Sequence, residues 1–485
     1  MSIVAAFLSL FGIAPKTTAP APPPWLLSGV PEFGAGVYST ALYNTGTGLD
    51  HEMAFVYDTD PHPTDSFMQL VRETTAEDLA AYCSTLSQSG YTQSFRNTIE
   101  NNEYYAYSKK GSSIYFYRNG NTGETRVIHD CCNTVSYSDV SSVTPYNTED
   151  AVHPGVYQFS YPYLDEAHPD EALYAKNGMM YIILLSDKRV IVIDGGEKKQ
   201  STDRNAAELW KLLHKITGKE ENEPITVALW YGTHAHGDHT QLFYKLLCEY
   251  HKKITVERAM FNYQSVSVIK NKLINVEILR WALKKFYPDL HYLKQRSGFR
   301  FQLQDAVCEV LYTQEDAINA ADASWNVTNL NDFSAVLKVT LNGKTFLFPG
   351  DSNRIVAKRL LKNYSAATLK IDVLQAAHHI YNDLEELYAV VQPTYVMCPQ
   401  SKLTALNTPL DAYVTLRKSV PEENFFFAGE NIVYGLTPLA DGSISVSETA
   451  VNCSGFDGID HDDKTQTPGN ETGDEQSDLN VLQGS

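Results

Sequence analysis

Cysteine is scarce. There are seven in 485 residues (Cys83, Cys131, Cys132, Cys248, Cys308, Cys398 and Cys453), odd in number and scattered, with no Cys-x-x-Cys pair. That pattern excludes a zinc ribbon and a disulfide framework, and it fits a reducing compartment such as the cytoplasm. Charged residues are also few, at 20% against 43% hydrophobic, the balance of a soluble globular protein. A bilayer-spanning run is missing as well. The N-terminal stretch MSIVAAFLSLFGIAPKTTAPAPPP is too short to cross, and no Lys or Arg precedes its apolar part. It reads as a cleaved signal, a membrane-surface helix or a simple N-terminal helix, and a signal would make the chain secreted.

Positive charge is in deficit, with a net −19. Long nucleic acids bind by phosphate neutralisation, so the balance disfavours them and leaves a small anionic substrate as the expected partner. The deficit is uneven. Residues 456–485 hold eight acids and one lysine and read as a disordered tail. Residues 252–300 run the other way, with eleven Lys or Arg against Glu257, Glu277 and Asp289. That basic island faces either an anionic substrate or solvent on helix surfaces. Oligomeric state is not legible.

Four regions follow: an apolar segment and Pro-rich linker over 1–34, a small α+β domain over 35–145, a larger α/β unit over 150–450, and the tail. In the small domain, TTAEDLAAYCSTLSQSG predicts a helix with a Thr74/Glu77 capping box, apolar Leu79, Tyr82 and Leu86, and Gly90 as a stop. Three tyrosine-rich strands with Gly turns then predict an antiparallel meander. The larger unit alternates strands and helices. STDRNAAELWKLLHKITG is an amphipathic helix closed by Gly218, FSAVLKVTLNGKTFLFPGD is a hairpin with an Asn-Gly turn, and DVLQAAHH and TYVMCPQ are short strands. Sheets covered by helices on their outer faces are implied.

What stands out is YGTHAHGDHTQLF, residues 231–243, which spends three of the chain's 14 histidines in six positions. In an extended segment 234, 236 and 238 point one way, and His239 comes where the next helix begins. His234, His236, Asp238 and His239 are thus four N/O donors converging at a strand's C-terminal end. Such a set suits Zn²⁺, with Mn²⁺ or Fe as alternatives.

The motif H-A-H-G-D-H resembles the H-x-H-x-D-H signature of the metallo-β-lactamase fold. Asp194 in VIDGG, Asp351 in FLFPGD and the histidines of LQAAHH fall in the order of that family's other motifs. The resemblance covers the larger unit and implies an αββα sandwich with one or two metal ions between its sheets. It implies that His234, His236 and Asp351 hold one ion, and that Asp238, His239, Asp351 and one of His378 and His379 hold the other, with His378 favoured. It also implies that Asp194 supports the histidine loop. The family's further histidine, just before the hairpin that ends in Asp351, is missing. Asn331 or Asp332 would take its place, while His251 and His291 lie too far upstream. NDFSAVL, FPGD and the paired histidines resemble the branch with competence-type DNA-uptake domains and teichoic-acid phosphorylcholine esterase. In this chain Ile380 and Tyr381 replace that branch's Gly-Ser.

The implied activity is hydrolysis by a metal-activated water. Asp238 or Asp351 would handle the proton, and Tyr381 and Asn382 would donate to a developing oxyanion. A phosphodiester or other phosphate ester is the expected substrate. A lactonase, thioesterase or β-lactam-type hydrolase on the same scaffold is the alternative, and a binding protein with a relic metal site is the third reading.

Overall fold

The computed structural model describes residues 24–47, 65–130, 136–141, 151–159, 162–163, 176–197, 200–264, 274–318, 330–407, 410–428 and 432–451. The apolar N-terminal stretch, the acidic tail, Cys131, Cys132, Cys453, and Lys270 and Lys272 of the basic island lie outside them.

Strands buried on both faces build the larger unit. Met180–Leu184 and Val190–Asp194 are buried at every position, the pattern of strands sandwiched between layers. Side chains alternate between two partners. Met180, Ile182, Leu184, Val190 and Val192 pack with Leu209 and Leu213 of helix Asp203–Thr217, Leu246 of helix Gln241–Tyr250 and Leu283 of helix Ile274–Phe286. Tyr181, Ile183, Ile191 and Ile193 pack instead with Val310, Val339 and Leu347 of a second sheet.

The first sheet runs His291–Leu293, Arg258–Phe261, Ile225–Gly232, Val190–Asp194, Met180–Leu184, Gly155–Gln158, Ile432–Pro438, Ile444–Ala450, with Ile254–Val256 also on Ile225–Gly232. The second runs Arg300–Leu303, Ala306–Tyr312, Val336–Leu341, Lys344–Phe348, Val373–Gln375, Tyr395–Cys398, Phe425–Phe427. In each, one side is parallel and the other antiparallel. Helices Arg354–Asn363, Glu385–Val391 and Asp411–Leu416 cover the second sheet's outer face through Val356, Leu360, Leu387 and Leu416. The layers are therefore αββα. The expected hairpin turn is present, with Asn342 and Gly343 both at positive φ, as a two-residue turn requires.

The N-terminal unit is an antiparallel sheet in the order Val37–Tyr38, Asp65–Arg72, Glu124–Asp130, Ser112–Asn119, Asn102–Lys109, Thr92–Ile99. One face, with Tyr105, Tyr107, Ile114 and Phe116, packs on Leu79, Tyr82 and Leu86 of helix Ala76–Gln88. The other face carries Tyr104, Ala106, Tyr115 and Tyr117 into the same apolar cluster as the sandwich interior. Here the tyrosines have a use that composition alone does not show. Their rings enter the shared core while their hydroxyls reach across. Tyr104 meets the Tyr364 hydroxyl at 3.0 Å, Tyr115 donates to Ser297 O at 2.9 Å, and Tyr117 donates to Asp316 Oδ1 at 2.9 Å.

Two expectations need correction. The capping box lies one residue later than Thr74/Glu77: Thr75 accepts from Asp78 N, and Asp78 Oδ2 accepts from Thr75 N. Thr74 is committed elsewhere, its buried hydroxyl donating to Gly123 O and meeting Thr125 Oγ1. Thr75→Ala should therefore cost about 1 kcal/mol of unfolding free energy, read as a lower urea midpoint at unchanged slope. The second correction concerns the basic island. Lys294 and Arg296 face neither substrate nor solvent, since both are fully buried. Arg296 pairs with Asp130 at 2.9 Å and with Glu315, and Lys294 donates to Ser66 Oγ at 2.8 Å. Arg296 thus neutralises two carboxylates, and Lys294 donates to neutral oxygens, where the N-terminal sheet meets the sandwich. No helix among the described residues is long and apolar enough to cross a membrane.

Candidate metal centre

Four strands end at one place. Ile225–Gly232, Val190–Asp194, Lys344–Phe348 and Val373–Gln375 deliver their C-terminal ends to the same edge of the sandwich, where ligands gather in open α/β sheets. After Gly232 the chain bends at Ala235, is extended again at His236 (φ −72°, ψ 150°) and tightens into a 3₁₀ turn over Gly237–His239. Strand alternation does not carry through to Asp238. Asp238 does not share the direction of His234 and His236, as the period of two predicts; the turn sends it with His239 instead.

Asp194 sits behind this loop at φ +61°, in the left-handed region. Its Oδ1 accepts from Thr233 N at 2.7 Å, and its Oδ2 accepts from Thr233 Oγ1 at 2.8 Å and faces His239 Nδ1 at 2.7 Å. Placing the His239 proton on Nδ1 turns a bare Nε2 toward the cleft. Asp351 enters from the second sheet through a close approach at Gly350. That residue has φ +57°, and a Cβ on it would stand 2.9 Å from the Thr233 side chain. Gln375 grips Gly350 at both its N–H (2.8 Å) and its carbonyl (3.0 Å), and Ser334 Oγ accepts from Asp351 N at 3.1 Å.

Two donor groups result, one of Asp238, His239, Asp351 and His379, the other of His234, His236 and Asp351, each with its ligand atoms within 4.8 Å of one another. Asp351 belongs to both. His239 Nε2 lies 3.2 Å from Asp351 Oδ1, and His379 Nε2 lies 3.2 Å from Asp238 Oδ2. Ligands at about 2.1 Å from a tetrahedral ion stand about 3.4 Å apart, so these separations match a shell drawn round a divalent cation. His239 Nε2, Asp351 Oδ1 and His379 Nε2 are buried and make no hydrogen bond, which a cation would remedy.

The charge state agrees. Burial keeps His234 and His236 well below or below the ordinary imidazole range, hence neutral and able to ligate. Burial opposes ionisation of Asp238 and Asp351, but the neighbouring imidazoles, His239 foremost, outweigh it and hold both carboxyls low. For His239 and His379 burial is outweighed the other way: Asp351 leads the carboxylates that raise both imidazoles. A cation bound here replaces those protons, so uptake should release protons to the buffer.

The histidine pair is placed differently from the expectation. His379, with 6% of its side chain exposed, joins the group of Asp238. His378, favoured from sequence, is 33% exposed and lies outside both groups, its Nε2 3.8 Å from Asp351 Oδ2. Both backbones are left-handed, at φ +49° and +50°, which rotates consecutive imidazoles away from simple alternation. Asn331 Nδ2 is 3.3 Å from His378 Nε2, whereas Asp332 accepts from Asn353. His251 stacks on Phe286 at 4.3 Å and His291 is an exposed strand residue, so neither joins the cluster. Tyr381 is exposed beside it, its hydroxyl accepting from Gln400 Nε2 at 3.1 Å. Asn382 turns its amide to Ser352 O at 3.0 Å. Thr233, Ser334 and Gln375 were missed from the sequence, because ordinary polar residues at strand ends carry no signal until their partners are in place.

Asp194→Asn should keep the fold, since an amide oxygen still accepts from Thr233, but it deprives the His239 N–H of its carboxylate. Metal affinity should fall by about 10–100-fold, measured by competition with a chromophoric chelator.

No family model matches the chain, and no curated protein does. Among solved structures it is similar to the metallo-β-lactamase fold protein YhfI from Bacillus subtilis, at 9% identity over 58% of this chain and 99% of that one, with a TM-score of 0.35. Yeast PDE1 gives 9% identity, 57% and 98% coverage and a TM-score of 0.35. CmlA, a diiron β-hydroxylase from Streptomyces venezuelae, gives 12%, 60%, 55% and 0.33, so the chain spans only about half of it. Values this low say nothing of activity. The αββα layering stands on the sheet order given above.

Proposed function

We propose that the chain is a metal-dependent hydrolase acting through a metal-activated water on a small phosphodiester or other phosphate ester. The observation that carries this reading is the place of Asp351 in both donor groups; if both groups hold a cation, that carboxylate would serve the two together. Zn²⁺ suits the histidine and carboxylate donors, and Mn²⁺ is the alternative. When bound, such ions supply Lewis acidity and bring a water's pKa toward about 7.

The chain's own residues do the rest. Asp238, with 32% of its side chain exposed, is the most open carboxylate of the cluster and would take up the attacking water's proton. A tyrosine hydroxyl that accepts from Gln400 Nε2 is polarised to donate, so Tyr381 would meet a substrate oxygen. Asn382 steadies the chain behind Asp351 rather than touching substrate. The phosphate reading draws no support from Lys294 or Arg296, whose side chains are buried and already engaged. It rests on the paired sites, and the net −19 favours a small ester over a polymer.

The test is turnover of bis-p-nitrophenyl phosphate against a panel of lactones, thioesters and β-lactams, with Zn²⁺ or Mn²⁺ added. Diester hydrolysis that disappears in His236→Ala is expected. Turnover confined to the panel moves the assignment to the alternative chemistry, and a fully active His236→Ala places the chemistry elsewhere.

A further inference from the structure

The two donor groups are unequal. One offers four ligand atoms, Asp238, His239, Asp351 and His379, while the other offers three, His234, His236 and Asp351. A cation held by three side chains can be completed by water, or by a further residue close at hand. Among the described residues, His378 answers that description. Its Nε2 stands 3.8 Å from Asp351 Oδ2, the same distance as His379 Nε2 from that oxygen. Its immediate neighbour already belongs to the four-donor group, and the two consecutive imidazoles, ring centroids 6.1 Å apart, stand equally far from the same oxygen of the shared carboxylate.

The backbone explains how adjacent residues manage this. His378, His379 and Ile380 are all left-handed, at φ +49°, +50° and +64°. Such a run is costly, roughly 1–2 kcal/mol per residue, and most costly for a β-branched one. Ile380 is fully buried and anchors the turn in the core, so the conformation is imposed by packing. Consecutive left-handed residues turn successive side chains in the sense opposite to a right-handed helix. Asp332 is bound to Asn353, and Asn331 holds out an amide nitrogen, a donor, 3.3 Å from His378 Nε2. That distance is long for a hydrogen bond, and the same Nε2 lone pair serves either Asn331 or a cation.

We infer that the paired histidines divide between the two sites, with His379 in the four-donor group and His378 swinging in to complete the cation held by His234, His236 and Asp351. This rests on the proposed function only in requiring that the cluster binds metal. It adds that the cleft's rim histidine is a ligand, so an ion held by His234, His236 and Asp351 would gain a side chain open to displacement by substrate.

The experiment is a Co²⁺ titration of the full chain and of the variants His378→Ala and His379→Ala, followed by visible absorption and by proton NMR of the paramagnetically shifted, exchangeable imidazole N–H signals. Wild type should fill in two steps. His378→Ala should weaken one step by at least about 10-fold, leave the other unchanged and lose one shifted N–H signal, and His379→Ala should weaken the other step. Two unchanged steps with the full set of N–H signals in His378→Ala would overturn the assignment while leaving the metal reading intact. Wild type that takes up no cobalt would overturn both. Because His378 lies on the rim, its truncation should leave the far-ultraviolet circular dichroism unaltered.

Discussion

Asp351→Asn should abolish metal retention at both sites together. Every other donor serves one group, but this carboxylate serves two. An amide of the same size still accepts the hydrogen bond a neutral oxygen can take, yet it carries no charge and cannot bridge two cations. Equilibrium dialysis with Zn²⁺ should fall from about two ions per chain to near none, and any hydrolysis should fall by on the order of 10³-fold or more. His234→Ala should instead leave the four-donor site loaded. If Asp351→Asn lost a single ion, the two groups would not share it. The fold should persist, because Asp351 N still donates to Ser334 Oγ and Gly350 remains clasped by Gln375.

The second large effect lies away from the metals. Arg296 is fully buried with Asp130 and Glu315, its Nη1 also 3.0 Å from Asn262 Oδ1. Replacing it by Met leaves two carboxylates in the interior without their cation. Breaking a buried pair from one side costs about 3–5 kcal/mol, a large part of a typical total of about 5–15 kcal/mol. Arg296→Met should therefore lower the guanidinium midpoint sharply or prevent soluble expression. The triple change with Asp130→Leu and Glu315→Met should recover part of the loss, since the three paired charges go together and only the neutral donors Ser66, Asn262 and Thr313 lose their acceptors. A single substitution costing under about 1 kcal/mol would show that water reaches the cluster. Since one apolar cluster joins the N-terminal sheet to the sandwich, tryptophan fluorescence and circular dichroism should report the same transition.

Legibility in the sequence followed the range of the interactions involved. The histidine loop could be read because its donors lie within six positions and a buried strand precedes them. Strand and helix order in the larger unit could be read from apolar periodicity, and the Asn342-Gly343 hairpin from its turn chemistry. The capping box slipped by one because Thr74 and Thr75 are equivalent on paper; only the strand carrying Thr125 decides between them. The basic island misled for the same reason. Arg296 finds its partner Asp130 166 positions away, and no local pattern announces that a cation will be buried. The choice between His378 and His379 turned on three left-handed residues held by the burial of Ile380, a conformation that the letters HHI do not advertise.

The most direct test of two cation sites bridged by Asp351 is X-ray absorption of the zinc-loaded chain. A shell of nitrogen and oxygen ligands with imidazole scattering, and a metal–metal vector of about 3.5–4 Å, is the expected result. Zinc that binds without histidine in its shell, or with no second metal within that range at full loading, would contradict it.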